Sequence, residues 1–172
     1  MSAHETGGLV EKFLLDRLDT LGIGWTLHEH EAVFTVETSE SLHAAIPGAH
    51  TKNLFLKDSG GLFWLVTTAH DAKVDLKTLP QLIGSRKLSF AKAGDMERLL
   101  GVTPGSVTPL AAINDKEGEV RIVIDSGLAR HDCVNVHPLR NTATIGLSGT
   151  NLTHFLHSTG HDALIVEVSD SQ

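Results

Sequence analysis

Lys52 and Asn53 stand side by side in the run Ile46-Pro47-Gly48-Ala49-His50-Thr51-Lys52-Asn53-Leu54-Phe55-Leu56, where a loop gives way to a strand-like segment. An ammonium with an amide neighbour can hold a phosphate or polarise an ester carbonyl. A solvated lysine at a strand start has the same pattern. The segment Gly105, Ser106, Val107, Thr108 and Pro109 is a second candidate: its glycine permits close backbone approach to a ligand and its proline stiffens the exit. A plain connector would look alike. His137, ahead of Pro138 at the end of a strand-like run, is a third candidate, with a structural histidine as the competing reading.

Other chemistries find less support. Eleven histidines invite a metal, but His28-Glu29-His30-Glu31 lacks the second histidine of HExxH, and no second pair stands at a ligand-like interval. His28 and His30 would share one strand face and make half a site at most, so hydrogen-bonded or solvated histidines are the reading. Gly146-Leu147-Ser148-Gly149 misses the nucleophile elbow by one position. Cys133 falls in a strand-like run with no base supplied to it, and fits core filler. Neither G-x-x-x-x-G-K nor G-x-G-x-x-G occurs. The sequence thus implies no metal and no cofactor.

The elements that must position the candidates follow from periodicity and breakers. Residues 6–22 read as an amphipathic helix stopped by Gly22, followed by strands at 25–28 and 32–36 and a short helix capped by Ser39 that runs to residue 45. Strands at 51–57 and 62–68 flank the hairpin signal Asp58-Ser59-Gly60-Gly61. A helix at 74–83 despite Pro80, a short run at 88–91 and a helix at 95–100 ended by Gly101 come next. A second hairpin joins 110–114 to 120–125, and strands at 133–136 and 142–147, a helix at 150–158 and a strand at 163–168 complete the chain. Strands joined by hairpins outnumber helices, which predicts an α+β fold with a mixed, largely antiparallel sheet. Residues 101–109 form the longest irregular stretch, where function often resides.

The 172 residues, 41% hydrophobic and 20% charged, fit one folded domain spanning 1–172. One cysteine allows no internal disulfide, and residues 1–10 lack the regions of a signal peptide, so a cytoplasmic location is expected, with no membrane span. A net charge of -7 argues against general nucleic-acid binding. Residues 52–98, however, hold eight Lys and Arg against five acids, a local +3 that leaves -10 on the rest. Such asymmetry permits one polyanion-facing surface, for which Lys73, Lys77, Arg86 and Lys87 are the candidates.

The combination of motifs resembles the YbaK and prolyl-tRNA synthetase editing-domain family, in particular its free-standing Ala-tRNA(Pro) deacylases. The resemblance runs along the chain through Val33-Phe34-Thr35-Val36-Glu37, Pro47 to Asp58, Val74-Asp75-Leu76-Lys77, Leu88-Ser89-Phe90-Ala91, Ile113-Asn114-Asp115, His137-Pro138-Leu139 and Asn141-Thr142-Ala143-Thr144. Its most specific part is HTKNLFLKD together with GSVTP. The resemblance implies a barrel-like sheet surrounded by helices and hydrolysis of the ester joining a wrong amino acid to tRNA(Pro). It makes Lys52 the essential lysine, Gly105 to Pro109 the GxxxP loop, His137 a substrate-site histidine and Asn53 a substrate contact. Phe34 and Thr35 would line the amino-acid pocket. A chain this short holds no synthetase core, so the domain would act in trans, meeting the acceptor end of tRNA(Pro) and, transiently, prolyl-tRNA synthetase. Cys-, Ser- or Thr-charged tRNA as substrate, and a non-catalytic tRNA-binding module, are the competing implications.

Overall fold

Asp58 organises the hairpin at the centre of the molecule. The structure, a computed structural model, describes residues 3–32 and 36–168; the expectations for Phe34 and Thr35 lie outside these, as does most of the strand expected at 32–36. Strands β2 (Ala49–Asp58) and β3 (Phe63–Ala69) pair antiparallel from Thr51↔Ala69 to Lys57↔Phe63. At their turn, the N–H groups of Gly60 and Leu62 donate to Asp58 Oδ1 at 2.9 and 3.0 Å, and Trp64 Nε1 donates to Oδ2 at 3.1 Å. Gly61 turns the chain with φ 88°, a left-handed conformation that glycine accepts at little cost.

The remaining elements are α1 (Ala3–Thr20), β1 (Thr26–Glu29), α2 (Val36–Ala45), α3 (Leu79–Ile83), β4 (Leu88–Phe90), α4 (Ala93–Leu100), β5 (Val120–Asp125), α5 (Ser126–Ala129), β6 (Val134–Val136), β7 (Ala143–Leu147), α6 (Gly149–Ser158) and β8 (Leu164–Val166). Two 3-10 turns, Pro104–Ser106 and Pro109–Asn114, stand between α4 and β5. The sheet runs β1-β7-β6-β2-β3-β5-β8, with β4 also on β2. Pairings of β2 with β6, β3 with β5 and β5 with β8 are parallel and the other four antiparallel, so the sheet is mixed. It does not close into a barrel: β1 and β8, both short, remain as its edges.

Side chains alternate between two apolar layers. Phe55, Phe63, Leu65, Val120, Ile122 and Ile124 enter the larger core with α1, α4 and α6, while Leu56, Trp64, Val66 and Val123 enter a smaller one with Leu79, Ile83 and Leu88. Strand β3 is buried along nearly its whole length, as expected of a strand covered on both faces.

Three expectations need correction. The helix at 74–83 is confined to α3, because Asp75 Oδ1 accepts the Lys77 N–H at 2.9 Å in a local turn that competes with helix, and Pro80 belongs in the first turn. The strand at 110–114 is the 3-10 turn Pro109–Asn114, capped by Thr108, whose Oγ1 accepts the Leu110 N–H at 3.3 Å; Pro109 has no N–H to give a ladder. The second hairpin is therefore absent, and β5 takes parallel neighbours instead. Helix α2 starts at Val36, which puts Ser39 inside it. Among the described residues no helix is long and apolar enough to cross a membrane.

Burial alone would raise the Asp58 carboxyl, but hydrogen bonds from Leu62, Trp64, Arg86 and Gly60 outweigh it and hold it below 3.8. A depressed folded value means that the contribution is complete above the unfolded value and is lost as pH falls through the folded one. Asp58→Asn should lower stability at pH 7 by about 2–3 kcal/mol. Chemical denaturation from pH 7 to pH 2 should show the gap between variant and parent narrowing at the acid end.

Candidate active site

Strand β2 has an incomplete outer edge. Against β3 it pairs along its length, but on the other side β6 takes only Ala49 and His50, and β4 only Leu56, Lys57 and Asp58. Beside the unpaired stretch of this edge lies a cleft of about 680 Å³, lined by Thr51, Lys52 and Asn53 from β2, Pro104, Gly105 and Val107 from the 104–109 loop, Asn135, Val136, His137 and Thr144 from the β6–β7 side, and Glu40, His43, His50, His70 and Asp71 at another part of its wall. The three candidates read from the sequence therefore meet in one place.

Each arrives with its polar atoms assigned. Asn53 Nδ2 donates to the Val107 carbonyl at 3.0 Å while its Oδ1 accepts the Thr67 hydroxyl at 2.6 Å, so this amide ties the loop to the central hairpin. Lys52 is half-buried and its Nζ donates to the Ala72 carbonyl. No carboxylate among the described residues pairs with it, although Glu40 and Asp71 line the same cleft, so the ammonium can be shared with an anionic ligand. His137 Nδ1 lies 3.1 Å from the Ala143 carbonyl, which can only accept; this nitrogen therefore carries the proton. Burial pushes the ring below 6.5, with His30 adding to the effect and the Ala143 hydrogen bond opposing it. The imidazole is thus neutral at pH 7, and its Nε2 has no hydrogen-bond partner among the described residues.

Not every expected residue reaches the cleft. Ser106, Thr108 and Pro109 are buried and absent from the cleft wall, with Thr108 used as a cap. Lys73, Lys77, Arg86 and Lys87 are exposed on the surface outside the lining. Ser148 caps α6 by accepting the Asn151 N–H at 3.0 Å. His30 sits just past β1 and contacts Thr144 Oγ1 at 2.9 Å.

Sequence spacing missed a histidine cluster at one end of the cleft. His43 of α2 stacks on His50 of β2 at 4.1 Å and meets His70 edge-on at 4.4 Å. Burial, then the neighbouring His50 and His70, push His43 from 6.5 down to about 4. One pair of these rings is stacked and the other two pairs are edge-on, and no group of three His, Cys, Asp or Glu among the described residues could hold a metal ion. Only the fold brings positions 43, 50 and 70 together.

Asn53→Ala should release the 104–109 loop. A loss of about 1–2 kcal/mol in stability and faster amide exchange confined to residues 104–109 are expected by denaturation and hydrogen-exchange mass spectrometry.

Residues 30–155 match the family described as "Aminoacyl-tRNA editing domain". The chain is 39% identical over 156 residues to the "Prolyl-tRNA editing protein ProX" of Acetoanaerobium sticklandii, covering 90% of this chain and 95% of that one. It is 40% identical over 165 residues to the "Prolyl-tRNA synthetase associated domain-containing protein 1" of Bos taurus, covering 93% and 96%. A crystal structure described as a candidate trans-editing enzyme for prolyl tRNA synthetase superposes with a TM-score of 0.70 at 20% identity, over 94% of this chain and 98% of that one, which establishes the shared fold. The matched segment contains Lys52, Asn53, Gly105 and His137, and the relatives align over nearly their full lengths; the chain belongs to the aminoacyl-tRNA editing domain family.

Proposed function

We propose that the chain acts in trans, as one editing domain spanning residues 1–172, to hydrolyse the ester of mischarged tRNA(Pro), Ala-tRNA(Pro) foremost. What supports this reading is the pairing, in one cleft, of a Lys52 ammonium held by a carbonyl rather than a carboxylate with a His137 whose Nε2 is unused. In the reaction a water oxygen attacks the aminoacyl carbonyl carbon, the bond from that carbon to the ribose oxygen breaks, and the water proton ends on the ribose. Lys52 holds the terminal phosphate or the ester oxygen as negative charge develops. The backbone at Pro104 and Gly105 orients the aminoacyl group and water. His137 Nε2 accepts a hydrogen bond from the water or from the terminal ribose hydroxyl. An activated ester requires neither a covalent nucleophile nor a metal for these steps.

Selection of alanine over proline must come from exclusion, since an extra methylene is worth only about 1–3 kcal/mol of attraction. Lys73, Lys77, Arg86 and Lys87 would carry the acceptor stem, in the cytoplasm, with prolyl-tRNA synthetase as a transient partner.

Lys52→Ala should reduce deacylation on the order of a hundredfold while the fold survives. A panel of Ala-, Cys-, Ser-, Thr- and Pro-tRNA(Pro), each with and without chelator, tests the substrate. Fastest turnover of Ala-tRNA(Pro), unchanged by chelator, is expected; preference for another aminoacyl group would reassign the specificity, and binding without turnover would make the chain a tRNA-binding module. Replacing the four surface cations by Gln should weaken tRNA binding and flatten its salt dependence, measured by filter binding between 50 and 200 mM salt.

A further inference from the structure

The segment that carries His137 is held from outside the cleft. Between β6 and β7 run six residues, His137-Pro138-Leu139-Arg140-Asn141-Thr142. Leu139 has φ 74°, a left-handed conformation that a non-glycine residue adopts only when its surroundings impose it. The next residue ties this loop to its surroundings. Arg140 Nε donates to both carboxylate oxygens of Glu11 on α1, at 3.1 and 3.0 Å. Nη1 donates to the carbonyl and hydroxyl of Thr142 at 3.3 and 2.9 Å, and Nη2 to Glu29 Oε1 on β1 at 3.1 Å. One planar guanidinium thus fastens the loop to two other elements and to its own far end, a set of contacts that the point charge of lysine does not reproduce.

Those contacts fix what faces the cleft. Thr142, gripped by Nη1, precedes Ala143, whose carbonyl sets the His137 ring by accepting from Nδ1. Asn141, between the gripped residues, places its Nδ2 against Gly105, 3.3 Å from where a Cβ on that glycine would lie. Arg140 itself is not part of the cleft wall. We propose that Arg140 is a positioning residue that, by locking the strained 137–142 loop onto Glu11 and Glu29, holds His137 in the one tautomer and orientation that leave Nε2 open to the cleft. The proposal rests on the assignment of His137 to ester hydrolysis. A displacement of about 1 Å in such a group costs up to a hundredfold in rate.

The test compares Arg140→Gln, Arg140→Lys, His137→Ala and the Arg140→Gln/His137→Ala double variant for kcat and KM on Ala-tRNA(Pro). Both Arg140 variants should lose about 10- to 100-fold in kcat with KM within about twofold. In the His137→Ala background, Arg140→Gln should cost less than about twofold more, because the two act as a unit. The acid limb of kcat for Arg140→Gln should move to higher pH as the ring becomes more solvated. Nitrogen-15 spectra of the imidazoles should show Nδ1–H alone in the parent protein and a mixture with Nε2–H in Arg140→Gln. Should Arg140→Gln not fold, Glu11→Gln, which keeps the other contacts, should give the same effects at smaller size. Full multiplication of the two losses in the double variant, or an unchanged tautomer, overturns the positioning role. If His137→Ala alone is fully active, the assignment of His137 falls; if it is inactive while Arg140→Gln is not, only the role of Arg140 falls.

Discussion

An extended chain needs a partner for each backbone N–H and C=O along both edges, and on the edge of β2 away from β3 strands pair with its two ends but not with its middle. This gap is the constraint from which the site follows. Parallel β6 captures the first residues of β2 and antiparallel β4 the last, and a wedge opens over Thr51, Lys52 and Asn53. The wedge is a place where main chain and side chain can both address a ligand. Strands β6 and β7 wall it through Asn135, Val136 and Thr144, while the 104–109 loop and His137 at the start of the 137–142 loop are tied in by side-chain hydrogen bonds rather than by sheet pairing.

The rigidity of the wedge comes from the opposite edge of β2. Strand β3, buried on both faces, fixes the register of β2 residue by residue, and Thr67 on β3 passes that order through Asn53 to the carbonyl of Val107. A neutral amide is well suited to this relay because it donates on one side and accepts on the other. The position beside Lys52 therefore serves the architecture, whatever it adds to the proposed substrate contact.

Much of this was legible in the sequence because the signals were local. The Asp58-Ser59-Gly60-Gly61 turn, the strand-like runs that flank it and the glycine-stopped helix α4 each follow from chemistry within a few residues. Residues 110–113 misled because Leu110, Ala111, Ala112 and Ile113 are all buried, and a short unbroken apolar run has no period that separates strand from 3-10 turn. At 74–83 the apolar spacing is real, since Val74 and Leu76 pack on the smaller core, but they do so from an irregular chain. Lys52, the 105–109 loop and His137 could be picked out by residue type. The inward burial of Ser106 and Thr108 could not, nor could the meeting of His43, His50 and His70, which depends on strand register.

The parallel pairing of β3 with β5 sets a schedule for the nascent chain. Val120 is the partner of Phe63, so β3 leaves the ribosome with one edge open until β5 follows. At 5–20 residues per second the wait is roughly 3–11 s. During it, a strand composed of Phe63, Trp64, Leu65 and Val66 has β2 on one side and nothing permanent on the other. An open apolar edge of this kind is a template for self-association, so the interval between synthesis of the first hairpin and arrival of β5 is when this protein most depends on a low local concentration or a chaperone's cover.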